Sequence, residues 1–379
     1  EIDGPIDPAR LDEAVRTVQQ GHELLRAGFL ARGDDLDVVP TTVPSTLAVT
    51  TVPTGVFADR DALNEAVMRP YQEPFALDGT PLVRVDLLTD GGQRNVLLVT
   101  MHRLVCDLQS NWVVVEDLAR AYAGAAVEFG HTSYFTAMSA DEARLAGDRT
   151  YWADALADYP VVQLGDRRPD GEWQPDGRRV EIAAPGLGDA LTTGSAARRA
   201  TPFVLVTAAV LGTLAEAYGT GDLCCATASE NRLGAGLRRT IGPLAQTVLL
   251  RLRGADQRYG DVVREVKTVF RDALRHQRLP FEEVVGLLTD GGVDRDMIAP
   301  VVLAVETPRA PLTEFAGLPA REFLGAGLPQ IVVRPGEASF QFVLDPDAPT
   351  VTVTYDGAFL SDEHVRALVD GCLRRITVP

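Results

Sequence analysis

Apolar positions along the first segment, Ile6 to Gly28, recur at helical spacing: Pro8, Leu11, Ala14, Val15, Val18, Leu24 and Leu25 form one stripe behind the turn-forming Asp3-Gly4-Pro5. A helix is expected there, and a second over Asp59–Pro70, ended by its proline. The Val-, Thr- and Pro-rich Asp37–Pro53 reads as a short strand with irregular flanks. Leu82–Leu88 alternates apolar residues with Arg84 and Asp86, the pattern of a half-covered strand. Val96–Met101 is almost continuously apolar and reads as a central one. The Met101-His102 step then falls at the end of a buried strand, ahead of a helix over Trp112–Tyr122. Such loops are where folds commonly place chemistry.

The second half alternates helices (Pro202–Tyr218, Tyr259–His276) with short strands at Leu223–Thr227, Val248–Leu252, Pro300–Val305, Ser339–Leu344 and Thr350–Tyr355. It closes on a helix over Ser361–Ile376, opened by a serine cap. Between Pro160 and Pro185 the pattern weakens into the polar, turn-rich Asp166-Arg167-Arg168-Pro169-Asp170-Gly171, taken as the boundary between two α/β lobes, residues 1–165 and 166–379.

Composition narrows the function classes. At 46% hydrophobic and 23% charged, the 379 residues are those of an ordinary globular chain with enough apolar surface for a sizeable core. A net charge of -17 argues against nucleic acid or an anionic membrane as partner, since both need clustered Lys and Arg. The longest apolar stretch, Pro202–Ala215, is too short to span a bilayer, and no signal-peptide pattern opens the chain, so a cytoplasmic location is expected. Cys106, Cys224, Cys225 and Cys372 lack metal-site spacing or disulfide density, and the five histidines form no helical pair, so no metal is assigned.

Five short strings now matter through their order. Gly21-His22-Glu23-Leu24-Leu25-Arg26-Ala27-Gly28-Phe29 resembles the "RHExLRTxF" segment of condensation domains in non-ribosomal peptide synthetases, and Tyr151-Trp152 with Leu156 resembles their "YWxxxL". Pro202-Phe203-Val204 through Gly221-Asp222-Leu223 to Asn231-Arg232 resembles the helix, strand and "NR" turn of their second lobe. Ile241-Gly242-Pro243-Leu244 with Thr247–Arg251 resembles "IGxFVNTLxLR", and His276-Gln277-Arg278-Leu279-Pro280-Phe281-Glu282 resembles "HQDxPFExLV". The resemblance implies two chloramphenicol-acetyltransferase-like α/β lobes forming a V-shaped pseudo-dimer, with a tunnel for two carrier-protein arms. The family's opening "SxAQ" helix has no counterpart, so a truncated start is expected.

Active members carry "HHxxxDG" after the central strand, and His102-Arg103-Leu104-Val105-Cys106-Asp107-Leu108 aligns with it. The resemblance makes His102 the first histidine, Arg103 the second, Asp107 the aspartate and Leu108 the glycine. The second histidine assists attack of the acceptor amine on the donor thioester. A guanidinium, charged to a pKa above about 12 and without an acceptor, cannot do so. Arg103 is also expected to fill much of the tunnel, and Leu108 to strain the loop by ~1 kcal/mol if that position needs positive φ. No catalytic residue is therefore expected among His102, Arg103, Asp107 and Leu108.

Structural roles are expected for His102 as a hydrogen-bonded core residue, for Asp107 as partner of an arginine across the lobes (Arg103 itself being another candidate), for Cys106 as buried filler and for His276 at a helix C-terminus. Cys224 and Cys225, adjacent in a strand, should face opposite sides. Arginine in place of the second histidine also resembles the X domain of glycopeptide-antibiotic synthetases. That resemblance implies a catalytically inactive domain, without a cofactor of its own, that recruits haem oxygenases of the cytochrome P-450 type to a peptide on the phosphopantetheine arm of an adjacent peptidyl carrier protein. The alternative is an active acyltransferase, using His102 or positioning alone to join an acyl thioester to an amine or alcohol.

Overall fold

The computed structural model describes residues 1–33, 35–41, 45–130, 132–139, 142–167, 172–232, 236–323 and 333–377. The chain packs as two compact units: Glu1–Ser139 with Arg232–Ala245 and Ala310–Leu328, and Ala140–Asn231 with Gln246–Arg309 and Pro329–Pro379. This differs from a single division at residue 165. Residues 142–165 pack with the second unit, while two later stretches return to the first. The boundary expected from composition included 168–171, which lie outside the described residues.

Strand β1 (Ile2–Asp3) and helix α1 (Pro8–Gly21) open the first unit. Asp7 caps α1 through its carboxylate, and Pro8 sits where a missing N–H costs nothing. The helix stops seven residues earlier than its apolar stripe suggested. A Cβ at Gly21 would collide with the Phe129 ring, and His22 turns inward, so Glu23–Arg26 becomes a 3₁₀ turn and Ala27–Arg32 a strand, β2. The region expected to hold one strand holds two, β3 (Asp35–Pro40) and β4 (Leu47–Thr51). Then follow α2 (Thr54–Ala58), α3 (Arg60–Gln72, running through Pro70), β5 (Asp78–Pro81), β6 (Val83–Thr89), β7 (Arg94–Met101), α4 (Leu108–Ala123) and α5 (Tyr134–Met138).

One sheet has the order β1-β7-β6-β4, making β7 an interior strand, as its continuous apolar run implied; a second has the order β3-β2-β5. The apolar faces of α1 and α4 pack over the first sheet through Leu11, Val15, Val18, Val113, Val114 and Leu118.

The second unit is built from α6 (Glu142–Ala155), β8 (Gly177–Ala183), α7 (Leu187–Arg198), α8 (Pro202–Tyr218), β9 (Leu223–Ser229), β10 (Gln246–Leu252), α9 (Tyr259–Arg275), α10 (Phe281–Asp290) and β11 (Val301–Glu306). A two-residue hairpin, β12 (Glu314–Phe315) and β13 (Leu318–Pro319), falls in the first unit before β14 (Ala338–Val343), β15 (Thr350–Asp356) and α11 (Asp362–Thr377) complete the second. The sheet order β10-β9-β11-β14-β15-β8 is mixed, with β11 parallel to both β9 and β14.

Helix α8 shows why the sequence folds this way. Thr201 caps it, Pro202 opens it, Gly219 ends it with φ 65°, and every residue from Val204 to Ala215 is buried. No single helix among the described residues is long and apolar enough to cross a membrane. Cys224 and Cys225, adjacent in β9, point to its opposite faces, and both are buried.

Candidate functional site

The His102–Leu108 segment links interior strand β7 to α4, where the sequence placed it. Its first residues form a tight turn: the His102 N–H donates to the Leu82 carbonyl at 3.0 Å and its own carbonyl accepts from Val105 N–H at 2.9 Å. Val105, wholly buried with Leu24, Phe29 and Leu82, anchors this turn. The half-buried His102 ring meets Phe75 edge-on, and its Nδ1 accepts from the Leu104 N–H at 3.2 Å. In a neutral imidazole that places the proton on Nε2, so the only lone pair is already engaged and the ring can donate but not accept.

Arg103 is exposed and makes no hydrogen bond or ion pair among the described residues; it is neither the partner of Asp107 nor packed in. Asp107 is paired instead with Arg232, whose Nη2 lies 2.7 and 2.9 Å from its two carboxylate oxygens. The same carboxylate caps α4, accepting Ser110 N–H at 2.9 Å and approached by Ser110 Oγ at 2.8 Å. It also accepts the N–H groups of Leu244 and Ala245 at 3.2 Å each. Arg232 completes the knot by donating to the carbonyls of Leu237 and Thr240 at 2.9 and 2.6 Å. These bonds fasten Arg232–Ala245 to the start of α4, a reason that stretch belongs to the first unit.

Leu108 is the first helical residue of α4 and is 71% exposed. It is absent from the positive-φ positions, so the expected loop strain does not arise: any residue can adopt the conformation of a helix's first turn.

Cys106 is half-buried, and burial, reinforced by the neighbouring Asp107 charge, pushes its thiol up to about 11. Burial likewise raises Cys224 and Cys372 to about 12 and holds Cys225 well above its ordinary value. The thiolate is the reactive form. At pH 8 the folded chain should therefore react slowly with a disulfide reagent, whereas unfolding should release four fast thiols; a thiol reacting promptly in the folded chain would contradict these placements. Because folded values lie above the ordinary 9, the stability held by the protonated thiols is intact below about pH 9 and is lost as pH rises through 11 to 12.

Two polar constellations escaped the sequence reading. His22 Nε2 lies 2.8 Å from Asp117 Oδ2 with both side chains buried; Arg239 binds the other Asp117 oxygen and also meets Glu116 at 3.0 Å. A lone aspartate on the buried face of an otherwise apolar helix was the available signal. In the second unit, His276 caps α9 as expected, with Nδ1 2.6 Å from Asp148 Oδ1, Tyr151 stacked on its ring at 4.0 Å and its carbonyl accepting the Trp152 indole N–H at 2.9 Å. Among the described residues no cluster of three or more His, Cys, Asp or Glu side chains could hold a metal ion.

The chain is thus a mixed α/β protein with its motif loop at the end of an interior strand. Residues 1–306 match the condensation-domain family, and the chain belongs to that family. It is similar to surfactin synthase subunit 2 of Bacillus subtilis (strain 168), at 26% identity over 75% of this chain but only 8% of that protein's length. Among solved structures it resembles the condensation domain from the monacolin K polyketide synthase MokA (TM-score 0.75, 20% identity, covering 99% of this chain and 90% of the other). It equally resembles the complex of the X-domain and OxyB from teicoplanin biosynthesis (TM-score 0.76, 23% identity, 99% and 86%).

Proposed function

We propose that this chain is a catalytically inactive condensation-like domain of a non-ribosomal peptide synthetase. It would serve as a platform that recruits a haem oxygenase of the cytochrome P-450 type to the peptide carried on an adjacent carrier protein, in the making of a glycopeptide antibiotic. One observation carries the reading: no group between His102 and Leu108 is free to take a proton from an amine. Arg103 has donors only, the His102 lone pair is engaged, and both Asp107 oxygens are filled by donors. The likeness to the teicoplanin X-domain, solved with OxyB, supports the choice of partner class. Any phosphopantetheine in this reading belongs to the carrier protein.

The test uses the purified chain, the haem oxygenase of its own biosynthetic cluster and a loaded carrier-protein pair. Calorimetry should register a complex with the oxygenase, and Arg103→His should leave its affinity within about twofold, because most single exposed side chains contribute little to a protein–protein complex. The native chain should not join the loaded carriers' acyl groups. Condensation by the native chain would overturn the reading, as would the absence of oxygenase binding.

A further inference from the structure

A cavity of about 190 Å³ opens in the second unit between α6, α9 and the end of β10, remote in sequence from the His102 loop. Tyr151, Trp152, Leu249 and Val269 give it apolar and aromatic walls, while Arg253 and Glu265 bring opposite charges to its lining. Arg251 also reaches it, but its guanidinium is spent on Asp222 and on the carbonyls of Ala155, Ala157 and Asp158. Arg253 is in a different condition. It is exposed, its guanidinium makes one long bond of 3.4 Å to the Ala157 carbonyl, and it has no carboxylate partner among the described residues. Glu265 holds the Arg253 backbone N–H with one oxygen at 2.9 Å, leaving its other oxygen without a hydrogen bond among the described residues.

Charged side chains at a crevice are ordinarily just solvated. Here the two unspent groups are of opposite sign and share one small cavity of mixed polar and apolar lining. Drug-sized ligands occupy roughly 300–1,000 Å³, so the occupant must be smaller. A guanidinium fork matches a carboxylate, and a carboxylate oxygen matches an ammonium. From this we infer that the cavity binds a free α-amino acid with an apolar side chain: Arg253 takes the α-carboxylate, Glu265 the α-ammonium, and the partly buried Tyr151, Ala155 and Val269 take the side chain. Burial pushes the Tyr151 phenol up to about 12, so its hydroxyl stays neutral. The inference uses none of the motif-loop residues and does not depend on the platform reading.

Titration calorimetry of the whole chain tests it with L-leucine, isoamylamine (no carboxylate) and 4-methylpentanoate (no ammonium). Leucine should bind with a Kd of about 0.1–1 mM, a modest affinity suited to a small ligand. Losing either charged group should weaken binding by about tenfold or more, since one charge-assisted contact is then unmade. Arg253→Gln should abolish the preference for leucine over isoamylamine without lowering the melting temperature, a change that a structural role for this exposed side chain would not produce. Val269→Trp, which fills the cavity, should remove binding altogether. The inference is overturned by no binding at about 10 mM leucine, by either analogue binding within about threefold of leucine, or by an Arg253→Gln chain that still discriminates.

Discussion

Asp107→Ala is expected to lower the stability of the first unit by roughly 3–5 kcal/mol, read as a fall in the denaturant midpoint at unchanged slope. The size follows from what the substitution leaves behind. The Arg232 side chain is 4% exposed and Asp107's 9%, so the guanidinium would stay buried with only the Leu237 and Thr240 carbonyls and Ser110 Oγ for company. The N-cap of α4 is lost as well, at about 1 kcal/mol. Asp107→Asn keeps a cap acceptor and shape but not the charge, and should fall between. Replacing both partners, as Asp107→Asn with Arg232→Met, should cost less than the sum of the single changes, because no charge is then stranded. A loss below about 1 kcal/mol for Asp107→Ala would mean that the pair behaves as a surface bridge, and would undo the argument that this aspartate is structural.

This knot also marks how far the sequence could be read. The loop itself was legible because β7 has a strand's continuous apolar run, α4 begins where polar residues reappear, and the seven-residue motif lies between them. That Asp107 would meet an arginine was legible from chemistry. Which arginine was not: Arg232 lies 125 positions away, and its placement depends on how Arg232–Ala245 returns to the first unit. Arg103, four residues from Asp107, was the nearer candidate and stays out in solvent. The same limit explains Leu108, where the family's glycine suggested strain but the position is an ordinary first turn of helix. At α1 local periodicity ran on to Leu25, while a non-local contact, the Phe129 ring against Gly21, ended the helix. Patterns local to β7, β9, β10 and α8 gave their positions within about two residues; pairings across the chain had no local trace.

Arg251→Met should cost the second unit roughly 3–4 kcal/mol, because it strands several acceptors at once. The Arg251 side chain is 5% exposed and meets Asp222 through two bonds of 2.9 and 2.7 Å. Its remaining donors reach the carbonyls of Ala155, Ala157 and Asp158 where α6 ends, groups that no helical N–H can satisfy. Asp158 sits there at φ 54°, a left-handed conformation that aspartate adopts more readily than most non-glycine residues. Methionine fills the space of the arginine stem but supplies no donor, so the turn should loosen before the sheet does. Amide hydrogen exchange should accelerate at residues 155–159 in Arg251→Met while the interior strands β9 and β11 keep their protection. Uniform acceleration across those strands would mean that Arg251 supports the whole sheet, and unchanged exchange at 155–159 would mean that the α6 turn is held by something else, with the Tyr159 hydroxyl, which accepts the Ala299 N–H at 2.7 Å, as the next group to remove.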